Sequence, residues 1–251
     1  MKVSVVVPAY NEERLIARCL LSLTNQTFAR KDYEIIVVDN ASIDKTSQIA
    51  GKYADVVIRE SKKGILFARQ IGFEQAKGDV IIRTDADSFV PMDWIERAWK
   101  KFEKDKKMVA LSGFYYPDDN KFWLMVFSKL SIFIKHIFFR LSGNANWLTG
   151  SCSAFRKNIF EKTGGFDLEE DPVLADQAGI AHKMGKYGRV GFDKDWWVWF
   201  SNRRVDGRKK RGWRGMFEDY VLYQGLNNLL FFVFKKYPKK IFGGGWKDFR
   251  D

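Results

Sequence analysis

Two acidic residues one position apart, Asp85 and Asp87, close an apolar run in the stretch Gly78 to Ser88. Val80, Ile81 and Ile82 are the short β-branched segment expected of a strand buried in a parallel sheet. A charge at the tip of such a strand costs roughly several kcal/mol unless a cation or a hydrogen-bonding partner meets it. In an open α/β sheet, ligands bind beyond the carboxyl ends of the strands. Asp85 and Asp87 are therefore candidates for holding a hard divalent ion and, through it, a phosphate. The competing reading is a solvated turn, because Asp and Ser are common there.

The elements that must position this pair precede it. The apolar run over 3–7 predicts a first strand, followed by a loop and helix start at Pro8, Ala9, Tyr10, Asn11, Glu12 and Glu13. Asn11 is the expected N-cap, with Glu12 and Glu13 at the positive helix end. Leu15, Ile16, Cys19, Leu20 and Leu23 recur at helical spacing and should face the sheet. A second strand over 34–38 ends at Asp39, and a helix over 44–52 follows. A third strand is expected over 55–59, then a basic turn at Lys62, Lys63 and Gly64. A helix over 68–76 is expected to stop at Gly78. Strands alternating with helices in this way predict a mostly parallel sheet. Tyr10, Glu12, Asp39, Asp85 and Asp87 then fall on one edge. That edge suits a nucleotide: Asp39 accepts hydrogen bonds from base or ribose, the metal neutralises the diphosphate, and Lys63 and Arg69 add positive charge. Neither a dinucleotide-binding glycine fingerprint nor a P-loop is present.

Composition is consistent with this. A length of 251 residues allows one large α/β domain or two small ones. With 46% hydrophobic and 29% charged residues the chain is globular, not disordered. A net charge of +12 points to an anionic partner, or to a solubilising surface. Cys19 and Cys152 fit neither a metal nor a disulfide framework, which favours a reduced, cytoplasmic setting. The N-terminal run reads as a strand and not a signal peptide, because Pro8 and polar residues interrupt it. No uncharged apolar stretch of about 20 residues predicts a spanning helix.

Four segments together carry a resemblance. Val5 to Glu12 (Val-Val-Val-Pro-Ala-Tyr-Asn-Glu), Val37 to Thr46, Gly64 to Gly72 with Ala68-Arg69, and Asp85-Ala86-Asp87 resemble the ordered motifs of glycosyltransferase family 2. The resemblance implies a GT-A fold, a Rossmann-like α/β/α sandwich. It further implies a UDP-, GDP- or dTDP-sugar donor with Mn²⁺ or Mg²⁺, and inversion at the anomeric carbon. By it Pro8, Ala9, Tyr10, Glu12, Asp39, Asp85 and Ala86 line the nucleotide site, with Lys63 and Arg69 nearby. Asp87 is then the direct metal ligand, beside Asp85.

The second half carries the acceptor side of the resemblance. Trp147 to Arg156 and the turn Gly164-Gly165-Phe166-Asp167 are similar to the family's acceptor-side strand and turn. The acidic pair that follows, one of whose carboxylates is the family's catalytic base, falls here on Asp176-Gln177. Asp176 is the leading base by that resemblance, with Asp171 and Glu170 as rivals. A base must reach the acceptor hydroxyl, whereas an acceptor that is already a phosphate needs none. Helix-start acids favoured by the dipole are the plainer alternative. Trp196 to Phe200 reads as an aromatic strand, followed by Arg203 and Arg204, whose guanidinium forks suit a diphosphate or lipid phosphate. Tryptophan beside arginine also occurs in single-strand nucleic-acid sites, but the first half already accounts for an anionic ligand, so no nucleic acid is expected.

The stretch 121–141 repeats bulky apolar residues at helical steps, with Lys129, Lys135, His136 and Arg140 opposite. It reads as a helix packed on the core or lying on an anionic membrane. The stretch 217–240 is aromatic beside a lysine cluster, suiting an acidic bilayer or a homodimer interface. The expected division is 1–110 for the donor half, 111–215 for the acceptor half of one domain, and 216–251 for a membrane-associating extension. The chain is thus read as a metal-dependent glycosyltransferase, peripheral on the cytoplasmic membrane face, acting on a lipid-linked phosphate or glycan. A nucleotidyltransferase and a non-catalytic membrane-associated nucleotide-binding protein are the alternatives.

Overall fold

Strand β1 (Val3–Ala9) is buried at every residue, as a strand covered on both faces must be. The structure, a computed structural model, describes residues 1–118, 137, 148–170, 172 and 175–201. Alternation along β1 separates two cores: Val3, Val5 and Val7 face one, Val6 the other. The first core is completed by Ile16, Cys19, Leu20 and Leu23 of α1 (Ile16–Thr24) and by Trp94, Ile95, Ala98 and Phe102 of α4 (Trp94–Lys104). The second takes Leu66, Ala68 and Phe73 from α3 (Ile65–Gln75), Phe160 from α5 (Lys157–Lys162), and Ile180, Ala181 and Met184 from α6 (Ile180–Gly185). Helices on both faces of one sheet give the α/β/α layering.

The sheet also contains β2 (Tyr33–Asp39), β3 (Val56–Arg59), β4 (Val80–Arg83), β5 (Ser88–Phe89), β6 (Met108–Pro117), β7 (Ser153–Arg156) and β8 (Arg189–Phe200); α2 (Thr46–Ala50) joins β2 to β3. Its order is β3-β2-β1-β4-β7-β6-β8-β5. The β1–β4 strands run parallel, as the alternation predicts, while β7 enters antiparallel between β4 and β6. Ala9 lies opposite Asp39, and Val6 opposite Arg83. The tips of β1, β2 and β4 therefore end on one edge.

Several local expectations are corrected. Helix α1 begins at Ile16, not Asn11, and Asn11 takes a left-handed φ of 52°. Its side chain accepts a hydrogen bond across the cleft edge from Ile43 N instead of capping a helix. Helix α3 starts at Ile65 and ends at Gln75, where Ala76 turns extended. Gly78 is thus not the helix stop: a Cβ there would lie 2.5 Å from the Ser4 nitrogen, so the close approach to β1 demands glycine. Cys19 and Cys152 are both buried and free. The 217–240 stretch, and 121–141 except Ile137, lie outside the described residues, as do Asp171, Arg203 and Arg204. Among the described residues no helix is long and apolar enough to cross a membrane.

Candidate functional site: the strand-tip cleft

The loops after β1 and β2 are stitched together by reciprocal hydrogen bonds. Asn11 N donates to Ser42 Oγ at 2.9 Å, and Ile43 N donates to Asn11 Oδ1 at 3.0 Å. Glu12 N donates to Thr46 Oγ1 at 2.7 Å, and Lys45 N to Glu13 Oε2 at 3.2 Å. Each bond satisfies a backbone group that the loop geometry would otherwise strand. Ala41 joins Asn11 in the left-handed region, at φ 62°, a conformation that costs an L-residue roughly 1–2 kcal/mol.

This frame surrounds Asp39, which is 0% exposed at the tip of β2. Its Oδ1 accepts from Ser42 N at 3.0 Å, while Oδ2 has no hydrogen-bond partner among the described residues. A buried carboxylate oxygen in that state calls for a donor from elsewhere. Beside it, Asn40 accepts from Gly64 N at 2.8 Å and donates to Lys62 O at 2.8 Å, which holds the basic turn in place. Lys63 Nζ then lies 3.5 Å from Tyr10 Oη and 5.5 Å from its ring centre. Pro8 and Ala9 end β1, and Glu12 is buried behind them.

Asp85 and Asp87 occupy the turn between β4 and β5, closed by Ser88 N on the Asp85 carbonyl at 3.0 Å. Ala86 between them is buried. Ser201 N donates to the Asp87 carbonyl at 3.0 Å, so the residue that follows β8 lies against this turn. Burial raises the Cys19 thiol well above its ordinary value, and the nearby carboxylates of Asp87, Asp85 and Glu12 raise it further. The Cys19 thiol also donates to the Asp85 carbonyl at 3.5 Å, which ties α1 to this turn. Among the described residues no group of three or more His, Cys, Asp or Glu side chains forms a metal cage. Two carboxylates, completed by phosphate oxygens of a ligand, are nevertheless the donor set that Mg²⁺ commonly uses, and Mn²⁺ favours the same hard ligands. The residues present fit such an ion.

On the far side of this turn lies a group of charges. Arg69 of α3 pairs with Asp85 Oδ1 at 2.8 Å and with the Asp176 carboxylate. Asp176 belongs to a π-helical turn, Ala175–Gly179, of the kind that recurs at functional sites. It is 3% exposed, and its second oxygen meets Arg83. Burial lowers the Arg83 guanidinium to about 10, so it stays charged at neutral pH. Burial also works against Arg69, but Asp176 and Asp85 raise it above the ordinary arginine value. Arg83 was not among the residues singled out from sequence. Its signal was an arginine set directly after three β-branched residues, where an apolar side chain would continue the strand. Glu170 is exposed. The remaining described residues of the predicted donor and metal set, together with Asp176, meet at this one sheet edge. A cavity of about 420 Å³ opens at the other end of β4, lined by Lys77, Asp79, Arg156 and Glu161 among others. It is remote from these carboxylates.

Residues 4–164 match the model of Glycosyl transferase family 2. Glycosyltransferase AglE of Haloferax volcanii is 37% identical over 101 residues, which is 38% of this chain and 33% of that protein. The glucosyl-dolichyl phosphate glucuronosyltransferase of the same organism is 27% identical over 82% of this chain and 78% of its own length. The chain spans a third or less of the length of the first curated relatives it matches. The mannosyltransferase PcManGT of Pyrobaculum calidifontis, solved with GDP-Man and Mn²⁺, superposes with a TM-score of 0.70 at 24% identity, over 94% of this chain and 66% of that one. That likeness establishes the GT-A architecture. The family match runs from Ser4 through the tips of β1, β2 and β4 to the turn at Gly164, and the chain belongs to glycosyl transferase family 2.

Proposed function

We propose that the cleft binds a nucleotide-sugar and transfers the sugar to an acceptor with inversion. The observation that carries this is Asp39, buried with one oxygen unpartnered among the described residues, on the same sheet edge as Asp85 and Asp87. Asp39 accepts hydrogen bonds from the base or ribose. Pro8, Ala9, Tyr10, Glu12 and Ala86 shape the pocket, and Lys63 places a positive charge at its mouth. Asp87 and Asp85 hold a divalent ion, Mn²⁺ or Mg²⁺, which when bound stabilises the negative charge on the departing nucleotide diphosphate. PcManGT, solved with GDP-Man and Mn²⁺, supports this choice of ligand class.

The acceptor oxygen forms its bond to the anomeric carbon as the bond to the diphosphate breaks. Both oxygens of Asp176 are held by arginines, so Glu170 or Asp171 takes the proton of a hydroxyl acceptor. Arg203 and Arg204 follow Ser201 by two and three residues in the sequence, a span of at most about 7 and 11 Å, which supports a role at the diphosphate or an acceptor phosphate. The name of the glucuronosyltransferase relative supports a lipid-linked acceptor. Residues 1–110 serve the donor and 111–215 the acceptor. The basic, aromatic stretches 121–141 and 217–240 support peripheral contact with an anionic cytoplasmic membrane face.

Calorimetric titration of UDP, GDP and dTDP, each with and without Mn²⁺, tests the reading. Binding of one nucleotide, tightened by Mn²⁺ and followed by transfer from the matching sugar, is the expected result. No nucleotide binding in either condition overturns it.

A further inference from the structure

We propose that Arg83 is a positioning residue: with Asp176 it forms a buried clamp that sets Arg69, and through Arg69 aims Asp85 into the cleft. The inference rests on the nucleotide-sugar reading and assigns roles within that site.

The geometry is a run of alternating charge from the interior to the cleft edge. Arg83, Asp176, Arg69 and Asp85 have side chains 0%, 4%, 5% and 24% exposed, so only the last meets solvent appreciably. Arg83 grips Asp176 twice, on its carboxylate and on its main-chain carbonyl, the latter at 2.9 Å. Its Nε donates to Ser153 Oγ at 2.6 Å, and the rings of Phe155 and Phe166 lie 5.1 and 5.7 Å from its guanidinium carbon. A rigid five-donor fork held on this many sides has one orientation. It passes that orientation to Asp176, whose other oxygen takes Arg69. The second Arg69 nitrogen then meets Asp85 Oδ1 at 2.8 Å and the Gly150 carbonyl at 3.2 Å.

Packing alone does not call for this network. Apolar side chains of similar volume usually serve stability as well as a buried ion cluster does. What the charges supply is direction: a carboxylate at a turn tip rotates freely unless something fixes one oxygen. With a guanidinium on each oxygen, Asp176 acts through its neighbours, and proton acceptance falls to Glu170 or Asp171, or is dispensed with for a phosphate acceptor. Outer partners of this kind are as much a part of a metal site as its ligands.

The full chain is compared with Arg83→Met, Arg83→Lys and the double variant Arg83→Met/Asp176→Leu. The double variant is charge-balanced, because Arg69 and Asp85 still neutralise each other, so it folds even where Arg83→Met does not. UDP and GDP are titrated in EDTA and in Mn²⁺. Electron paramagnetic resonance follows the bound Mn²⁺, and circular dichroism follows cooperative melting. In the folded double variant the affinity gained from Mn²⁺ is expected to fall by about tenfold or more, with nucleotide affinity in EDTA unchanged. Arg83→Lys recovers part of the gain. A folded double variant that keeps the wild-type Mn²⁺ gain overturns the clamp while leaving the donor site standing. A wild-type chain that binds neither nucleotide in either condition overturns the donor-site reading, and the clamp with it.

Discussion

The two walls of the cleft treat their buried carboxylates in opposite ways. The wall after β1 and β2 is held by backbone N–H groups donating to Ser42, Thr46, Asn11 and Glu13, and it leaves Asp39 Oδ2 buried without a partner among the described residues. The wall after β4 answers charge with charge: two arginines and two aspartates close on one another. The first wall therefore leaves a buried carboxylate oxygen for a donor from elsewhere. On the second, both Asp176 oxygens and one Asp85 oxygen are met by arginines, and the unpartnered buried atoms among the described residues there are Arg69 Nε, Thr84 Oγ1 and Ser88 Oγ. A low-dielectric interior magnifies both conditions. An unpartnered acceptor there draws a donor strongly, and a network of paired charges resists being moved.

The sharpest way to break this comparison is to remove the centre of the charge-paired wall. Asp176→Ala leaves Arg69 and Arg83 facing each other in the interior. Breaking a buried pair from one side costs about 3–5 kcal/mol, and here two cations lose their partner. Thermal unfolding is expected to shift down by roughly 10 °C in a chain of this size. A shift within the noise of the measurement shows that the network does not hold the wall.

The same operation on the open wall predicts the reverse pattern. Asp39→Asn keeps an oxygen for Ser42 N but removes the charge that a ligand donor would meet. Nucleotide affinity falls by about 1.5–3 kcal/mol, the range for a hydrogen bond to a charged group, while the melting temperature holds or rises. Loss of stability with affinity preserved places Asp39 in the fold and not in the site.

This asymmetry also explains what could be read from the sequence. The Val-rich run of β1, the acid ending β2 and the Asp85–Asp87 pair are local patterns, so period and position sufficed to find them. Asn11 misled because its side chain is committed to a loop 32 residues away, where no helix-start rule applies. Arg83 escaped for the same reason on a larger scale. Its partner Asp176 lies 93 residues downstream, and nothing near Arg83 in the chain announces that a buried charge will be met. The antiparallel entry of β7 between β4 and β6 was equally illegible. It is what brings Ser153 level with Arg83.

Strain distinguishes the walls as well. Among the described residues the non-glycine left-handed conformations are Asn11 and Ala41, both on the open wall. Ala41→Gly relieves roughly 1–2 kcal/mol of strain and loses roughly 0.5–1 kcal/mol to chain entropy. A net gain of up to about 1.5 kcal/mol in a denaturant titration is expected, with nucleotide binding slightly weaker because the loop is less fixed. A destabilised variant shows that Ala41 is not strained there.

An exposed ion pair at the far end of the sheet supplies the scale against which the buried network is judged. Arg189, at the start of β8, pairs with Asp105, their side chains 42% and 27% exposed. The hydrogen bond from Arg189 is the main reason the Asp105 carboxyl is held below its ordinary value. A depressed carboxylate contributes stability above its unfolded-state value, and that contribution fades as the pH falls through its folded-state value. Water screens such a pair to about 0.5 kcal/mol or less. Arg189→Met is therefore expected to cost that little at pH 7, and the difference from wild type should vanish in acid below the ordinary aspartate range. A loss at pH 7 as large as that of Asp176→Ala makes burial irrelevant to what an ion pair contributes here, and with it removes the physical ground for treating the two walls differently.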